Sequence, residues 1–143
     1  RLAAEKANAV HANHTDALVL GADTVVARGR RILPKAEDID TAWQCLSLLS
    51  GETHRVYGGV AILGPSGLSA HRVVMTSVAF KRLSKLETDH YIDSEEWRGK
   101  AGGYAIQGLA AAFVRRINGS YSNIVGLPLF ETAQLLRGLG YNS

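Results

Sequence analysis

Asp23 interrupts the run Leu18-Val19-Leu20-Gly21-Ala22-Asp23-Thr24-Val25-Val26, whose β-branched and aliphatic residues otherwise read as a buried strand. An ionised carboxylate withdrawn from water needs compensation, so Asp23 is paired, metal-bound or lining a wet cleft. The sequence leaves a plainer alternative open, a turn Asp joining two strands. In the first case the chemistry is that of a strand-end carboxylate, which holds a divalent cation through oxygen or takes a proton from an attacking water. Two further features have matching chemistry. Lys35 follows Pro34, and Pro cannot donate to a sheet ladder, so Lys35 sits on a loop at a strand end. There it is either an ordinary exposed lysine or a compact positive charge for an anion. Gly102 and Gly103, in Lys100-Ala101-Gly102-Gly103-Tyr104-Ala105-Ile106-Gln107-Gly108, would let backbone approach a ligand closely.

The elements that must position these residues alternate along the chain. An Ala-rich helix runs from Arg1 to Asn13 and projects Lys6, and Asn13–Asp16 turn into the strand carrying Asp23. Arg28-Gly29-Arg30 makes a hairpin-like turn. Ile39, Ala42, Trp43, Leu46 and Leu49 recur at helical spacing, with Asp38 as N-cap and Gly51 closing the helix. His54–Leu63 and Val73–Leu83 read as long strands joined by Gly64-Pro65-Ser66-Gly67. His54 reads as a polar strand-end histidine and Trp43 as core. Ser84 and Glu87 form a capping box that opens a helix to about Ile92. A polar loop with Trp97 and a short strand through Ala110–Ile117 follow. The last helix has Pro128 in its first turn and an apolar face of Leu129, Ala133, Leu136 and Leu139. Long consecutive strands imply antiparallel pairing alongside the alternation, so the expected architecture is α/β: a twisted mixed sheet flanked by helices, in two lobes around a cleft.

Composition narrows the class. The chain has 143 residues, 46% of them hydrophobic and 20% charged, which suits one globular domain with a real core. No run approaches the apolar length that spans a bilayer. Cys45 is the sole cysteine, so no internal disulfide forms, and it is expected to pack within a helix in a reducing, cytoplasmic setting. A formal charge of +3 favours anionic partners mildly, but the basic residues are scattered, without the stripe and interleaved aromatics of a nucleic-acid binder. The sequence contains no Gly-x-x-x-x-Gly-Lys-Ser/Thr loop, no Gly-x-Gly-x-x-Gly after a strand, no His-Glu-x-x-His and no zinc-ligand spacing. Ser120 and Ser122 are read as turn-capping hydroxyls rather than nucleophiles.

Taken in order, the Asp23 run, Ile32-Leu33-Pro34-Lys35-Ala36-Glu37-Asp38, the Lys100–Gly108 segment and Asn118-Gly119-Ser120-Tyr121-Ser122-Asn123-Ile124-Val125-Gly126-Leu127-Pro128-Leu129 resemble the Maf family of nucleoside triphosphate pyrophosphatases, in its uridine/thymidine triphosphate branch. The resemblance covers nearly the whole chain. It implies a fold similar to that of inosine triphosphate pyrophosphatases, and hydrolysis of dTTP, UTP and related nucleotides to the monophosphate and pyrophosphate. It assigns Asp23 as the catalytic acidic residue and metal ligand, Lys35 as its catalytic partner, Lys6, Gly102 and Gly103 to the phosphates, and Thr24 and Gln107 to base choice. It implies a divalent cation, Mg²⁺ or Mn²⁺, and a possible homodimer. The family opens with a strand leading into Ser-x-Ser-Pro-Arg-Arg; nothing similar occurs here, so the resemblance implies a single domain lacking that N-terminal segment. Where the family commonly has Thr, this chain has Gly58. The alternative function is a nucleotide-binding regulator of septum formation without turnover.

Overall fold

The computed structural model describes residues 2–11 and 18–141; the expected turn at Asn13–Asp16 lies outside them. Five strands form one open sheet: β1 (Val19–Arg28), β2 (Arg31–Leu33), β3 (Thr53–Leu63), β4 (Ser69–Phe80) and β5 (Val114–Asn118). Their order is β2-β1-β3-β4-β5. Among the described residues every pairing is antiparallel, so the parallel pairing expected of a mixed sheet is not among them. The connectivity explains this. The β1–β2 hairpin reverses the chain, and α2 (Ile39–Leu49) brings it back along the far side of β1 in the direction of β2. That direction is antiparallel to β1.

Helices cover both faces, and each cover has a local cause. On one face α1 (Leu2–His11) lies close to β1, because Gly21 leaves room: a Cβ there would stand 2.5 Å from the Ala3 carbonyl oxygen and 2.9 Å from the Ala7 nitrogen. Ala3 and Ala7 bury with Val19 and Ala61 into a small core at this end of the sheet. Leu2, at the start of this helix, is exposed.

The larger core lies on the opposite face. Val26, Val56, Val78 and Phe80 from the strands meet Ala42, Cys45, Leu46 and Leu49 of α2, and Tyr91 and Ile92 of α3 (Lys85–Ser94). Asp38 caps α2 by accepting from the Thr41 N–H at 2.8 Å, and Ser84 with Glu87 forms the expected capping box on α3. Cys45 packs as expected, with its thiol pushed up by burial. The two cores, one on each face, sit on a single continuous sheet.

Three elements differ most from expectation in their bounds or buried residues. β4 begins at Ser69, because the ladder from Leu63↔Ser69 onward carries Ser69, His71 and Arg72 as paired backbone whatever their side chains, and it ends at Phe80, short of the expected Leu83. Residues Leu109–Phe113 form a 3-10 turn ahead of β5, and Ala110 and Phe113, three apart, are its buried pair; three residues are one turn of that helix. In α5 (Leu129–Gly138) Pro128 is the N-cap, Thr132 is the buried residue and Leu129 is exposed. A short helix α4 (Tyr121–Val125) stands before it, capped by Ser120, whose Oγ accepts from the Asn123 N–H at 3.1 Å.

Asn123 ties α4 to the sheet. It is fully buried, and its Nδ2 donates to the Val56 and Val74 carbonyls at 3.1 and 3.0 Å and to Thr76 Oγ1 at 3.1 Å. Its Oδ1 occupies the space that a Cβ at position 58 would need, which accounts for Gly58 where a larger residue was expected. Among the described residues no helix is long and apolar enough to cross a membrane.

Candidate functional site

β2 pairs with β1 only from Val26 to Arg28, and a cleft of about 240 Å³ opens beside the preceding stretch of β1. Its walls come from four places. Ala22, Asp23, Thr24 and Val26 line it from β1; Lys6 reaches in from α1; Lys35 and residues 99–101 close one side; and Tyr104–Gln107 with Ile124–Gly126 close the other. The tie between Asn123 and the sheet thus also fixes the wall formed by its neighbours Ile124–Gly126.

Asp23 is paired rather than a turn residue. Lys6 Nζ stands 2.8 Å from its Oδ1 and 3.5 Å from the Ala22 carbonyl oxygen. The Asp23 side chain is only 10% exposed, while that of Lys6 is 45% exposed. Lys6 therefore orients the carboxylate and still presents charge to the cleft. Among the described residues no other group bonds this carboxylate.

Lys35 is carried by a backbone splice. Its own bridge to Ala101 is reinforced by Ala36 N–H to the Lys100 carbonyl at 3.1 Å, Gly99 N–H to the Ala36 carbonyl at 2.8 Å and Gly102 N–H to the Pro34 carbonyl at 3.0 Å. This splice brings the Lys35 loop against the Gly-rich segment, although the two lie far apart in the chain. Lys100, which the sequence reading left unassigned at the head of that segment, also lines the cleft.

Gly102 and Gly103 are placed differently from the expectation. Both are buried and neither is part of the cleft wall. Their φ values are +73° and +77°, a left-handed conformation that glycine adopts without penalty. A Cβ on Gly102 would lie 2.9 Å from Val26 Cγ1, and one on Gly103 would lie 3.1 Å from Cys45 Cβ. Their smallness serves the core, letting the segment sink against β1 and α2 so that residues on either side of it reach the cleft. Thr24 and Gln107 both line the cleft, Gln107 at an exposed position.

Beneath this segment His54 is fully buried, contrary to its reading as a polar strand-end residue. Its Nε2 shares a hydrogen bond of 2.6 Å with Tyr104 Oη, and its ring meets those of Phe80 and Tyr104 edge to face. Tyr91 Oη accepts from the Ala105 N–H at 2.9 Å. Burial pushes the Tyr91 hydroxyl up to about 12 and the Tyr104 hydroxyl higher still, so both stay neutral. Burial also pushes the His54 imidazole down to about 4 from its usual 6.5. Between those two values the unfolded chain holds a proton that the folded chain refuses. Stability therefore falls as the pH drops through this window, by about 1 kcal/mol per pH unit, with no contribution above it and no further loss below. Urea midpoints measured across that range should show the slope in the wild type and a flatter one in His54→Leu. Equal slopes in the two would acquit His54.

Open sheet, helices on both faces and a lysine-rimmed cleft around one oriented carboxylate define an α/β protein built to hold an anion. The chain belongs to the Maf family, matching the family described as Maf-like protein over residues 1–139. It is 66% identical over 141 residues to a dTTP/UTP pyrophosphatase of Paramagnetospirillum magneticum, covering 99% of this chain and 74% of that protein. A dTTP/UTP pyrophosphatase of Rhodospirillum rubrum is 62% identical, with 99% and 67% covered, and one of Caulobacter vibrioides 57%, with 99% and 73% covered.

Proposed function

We propose that the protein hydrolyses dTTP, UTP and related nucleoside triphosphates to the monophosphate and pyrophosphate. The observation that carries this reading is the pairing of Asp23 with Lys6 in a cleft that also receives Lys35 and Gln107; the relatives' names support the choice of reaction. In the reaction, the oxygen of a water attacks the α-phosphorus. The bond from that phosphorus to the bridging oxygen breaks, its electron pair leaves with pyrophosphate, and a proton leaves the attacking water. The catalytic task is then neutralising charge and positioning the water. Lys35, exposed at the rim, supplies positive charge to the phosphates, and the backbone splice holds it there. Asp23, oriented by Lys6, accepts the water's proton or fixes the water.

Among the described residues no three His, Cys, Asp or Glu side chains converge. A lone carboxylate fits a cation such as Mg²⁺, which keeps several waters and takes its other ligands from substrate phosphates. Asp23 would hold it, and when bound it would neutralise charge developing on the phosphates. Such a reaction suits a cytoplasmic setting. The direct test is pyrophosphate release from UTP and dTTP with and without Mg²⁺; no release from either would overturn the reading.

Lys35→Ala should lower kcat/KM by about tenfold, the lower end for losing a hydrogen bond to a charged group, because the side chain is exposed. The loss should be alike for every nucleotide, since a phosphate contact carries no base information. A loss confined to one base would make Lys35 a specificity residue instead.

A further inference from the structure

We infer that Glu96 is the positioning residue for base selection, acting through the backbone just downstream of Gln107. This rests on the reading of Gln107 as the residue that meets the base. Gln107 is exposed at the cleft, so packing does not aim its carboxamide and the backbone that carries it must. That backbone is anchored on both sides. Upstream, the Ala105 N–H is held by Tyr91 Oη. Downstream, the Leu109 N–H, the first of the 3-10 turn, donates to Glu96 Oε1 at 2.9 Å. The first N–H groups of any helical turn lack partners within it, and a carboxylate meets that need more strongly than a neutral acceptor.

Gly108 between them is the fitted half of the contact, because a Cβ there would overlap the Glu96 carboxylate. Glu96 is itself fixed at the end of α3. Glu95 closes that helix in a left-handed conformation, with φ +63° and its N–H on the Ile92 carbonyl. Ser94 Oγ accepts from the Glu96 N–H at 3.2 Å. Buried Trp97 donates from Nε1 to the Ile92 carbonyl at 2.8 Å. The Gln107 turn is therefore referenced to a helix terminus in the core and not to the cleft itself. Small displacements of a recognition group matter, since misplacement by about 1 Å can weaken a reaction by two orders of magnitude.

The test compares kcat and KM for UTP and CTP in Glu96→Ala, Glu96→Gln and Gly108→Ala, with Gln107→Ala in parallel. Glu96→Ala should raise KM for UTP by about tenfold, leave kcat within about threefold and bring the UTP-to-CTP ratio of kcat/KM towards one. Glu96→Gln retains an acceptor and should restore most of the ratio. Gly108→Ala should act like Glu96→Ala, and it decides the matter alone if Glu96→Ala fails to fold. Combined with Gln107→Ala, Glu96→Ala should add little. An unchanged ratio in Glu96→Ala and Gly108→Ala, with Gln107→Ala changing it, would overturn this inference and leave the reading of Gln107 standing. An unchanged ratio in Gln107→Ala would overturn both. A uniform drop in kcat for both nucleotides with a lowered Tm would also overturn it, leaving Glu96 a structural residue only.

Discussion

Asp23→Asn should lower turnover of UTP by about 10²–10⁴-fold, the range for removing a positioned acid or base, while the fold is retained. The substitution is isosteric. The amide oxygen of the variant can still accept from Lys6 Nζ, which stands 2.8 Å from the carboxylate in the wild type. What goes is the charge: the variant can neither take a proton from water nor hold a cation with useful strength. The measurement is kcat at saturating Mg²⁺ beside a thermal unfolding curve. Near-native Tm with turnover reduced a hundredfold or more supports the assignment. A variant that keeps most of its kcat removes Asp23 from the mechanism, whatever happens to KM.

The Lys6 contact gives this prediction a structural control. Gly21 and the small residues Ala3 and Ala7 allow α1 to lie against the strand two residues before Asp23. The Lys6–Asp23 distance thus depends on helix docking rather than on the exposed ammonium group alone. With the Lys6 end open to water, screening keeps the ion pair's contribution to stability modest, so the small core around Ala3 and Ala7 is the main hold on α1. Activity and stability should separate cleanly in Asp23→Asn for this reason.

Asp23 was legible because a carboxylate in an apolar run has few acceptable environments, and Lys35 because Pro34 forces a strand to end beside it. The Asp38 cap with helical spacing marked α2, and the capping box marked α3, for the same kind of reason: local hydrogen bonds and one-sided burial leave a pattern within a dozen residues. Gly102 and Gly103 were misplaced because two glycines announce a tight backbone without saying what lies against it. Here it is Val26 and Cys45, which belong to elements far away in the chain. His54 was misread for the converse reason. Its position near a strand end is polar by pattern, yet Tyr104, fifty residues on, closes over it. Glu96 and Lys100 carry no local signal at all. One lies in a polar loop and the other heads a glycine-rich segment; only the packing at the end of α3 sets Glu96 against the Leu109 N–H, and only the splice to Pro34–Ala36 brings Lys100 to the cleft.

Gln107→Glu should reverse the order of preferred nucleotides. A Gln amide can accept from uracil N3–H and donate to O4 in one plane. Turned over, the same amide would pair with cytosine as well, so its direction must be held. Thr24 lines the same cleft from the β1 side. A glutamate at this position is acceptor-only when ionised. It would oppose O4 of uracil and thymine, leaving a polar group without its partner, but could accept both N1–H and the exocyclic amine of guanine. An unpaired buried polar group costs about 1–3 kcal/mol, and sites built to hydrogen-bond a substrate discriminate at least that strongly. UTP and dTTP should therefore lose that much in kcat/KM, and the remaining activity should move towards guanine nucleotides. Because the phosphate contacts are untouched, the loss should spare GTP and 7-methyl-GTP, which sets it apart from the uniform loss expected of Lys35→Ala. A panel of UTP, dTTP, CTP, GTP and 7-methyl-GTP decides between them, and an unchanged rank order would remove Gln107 from base recognition.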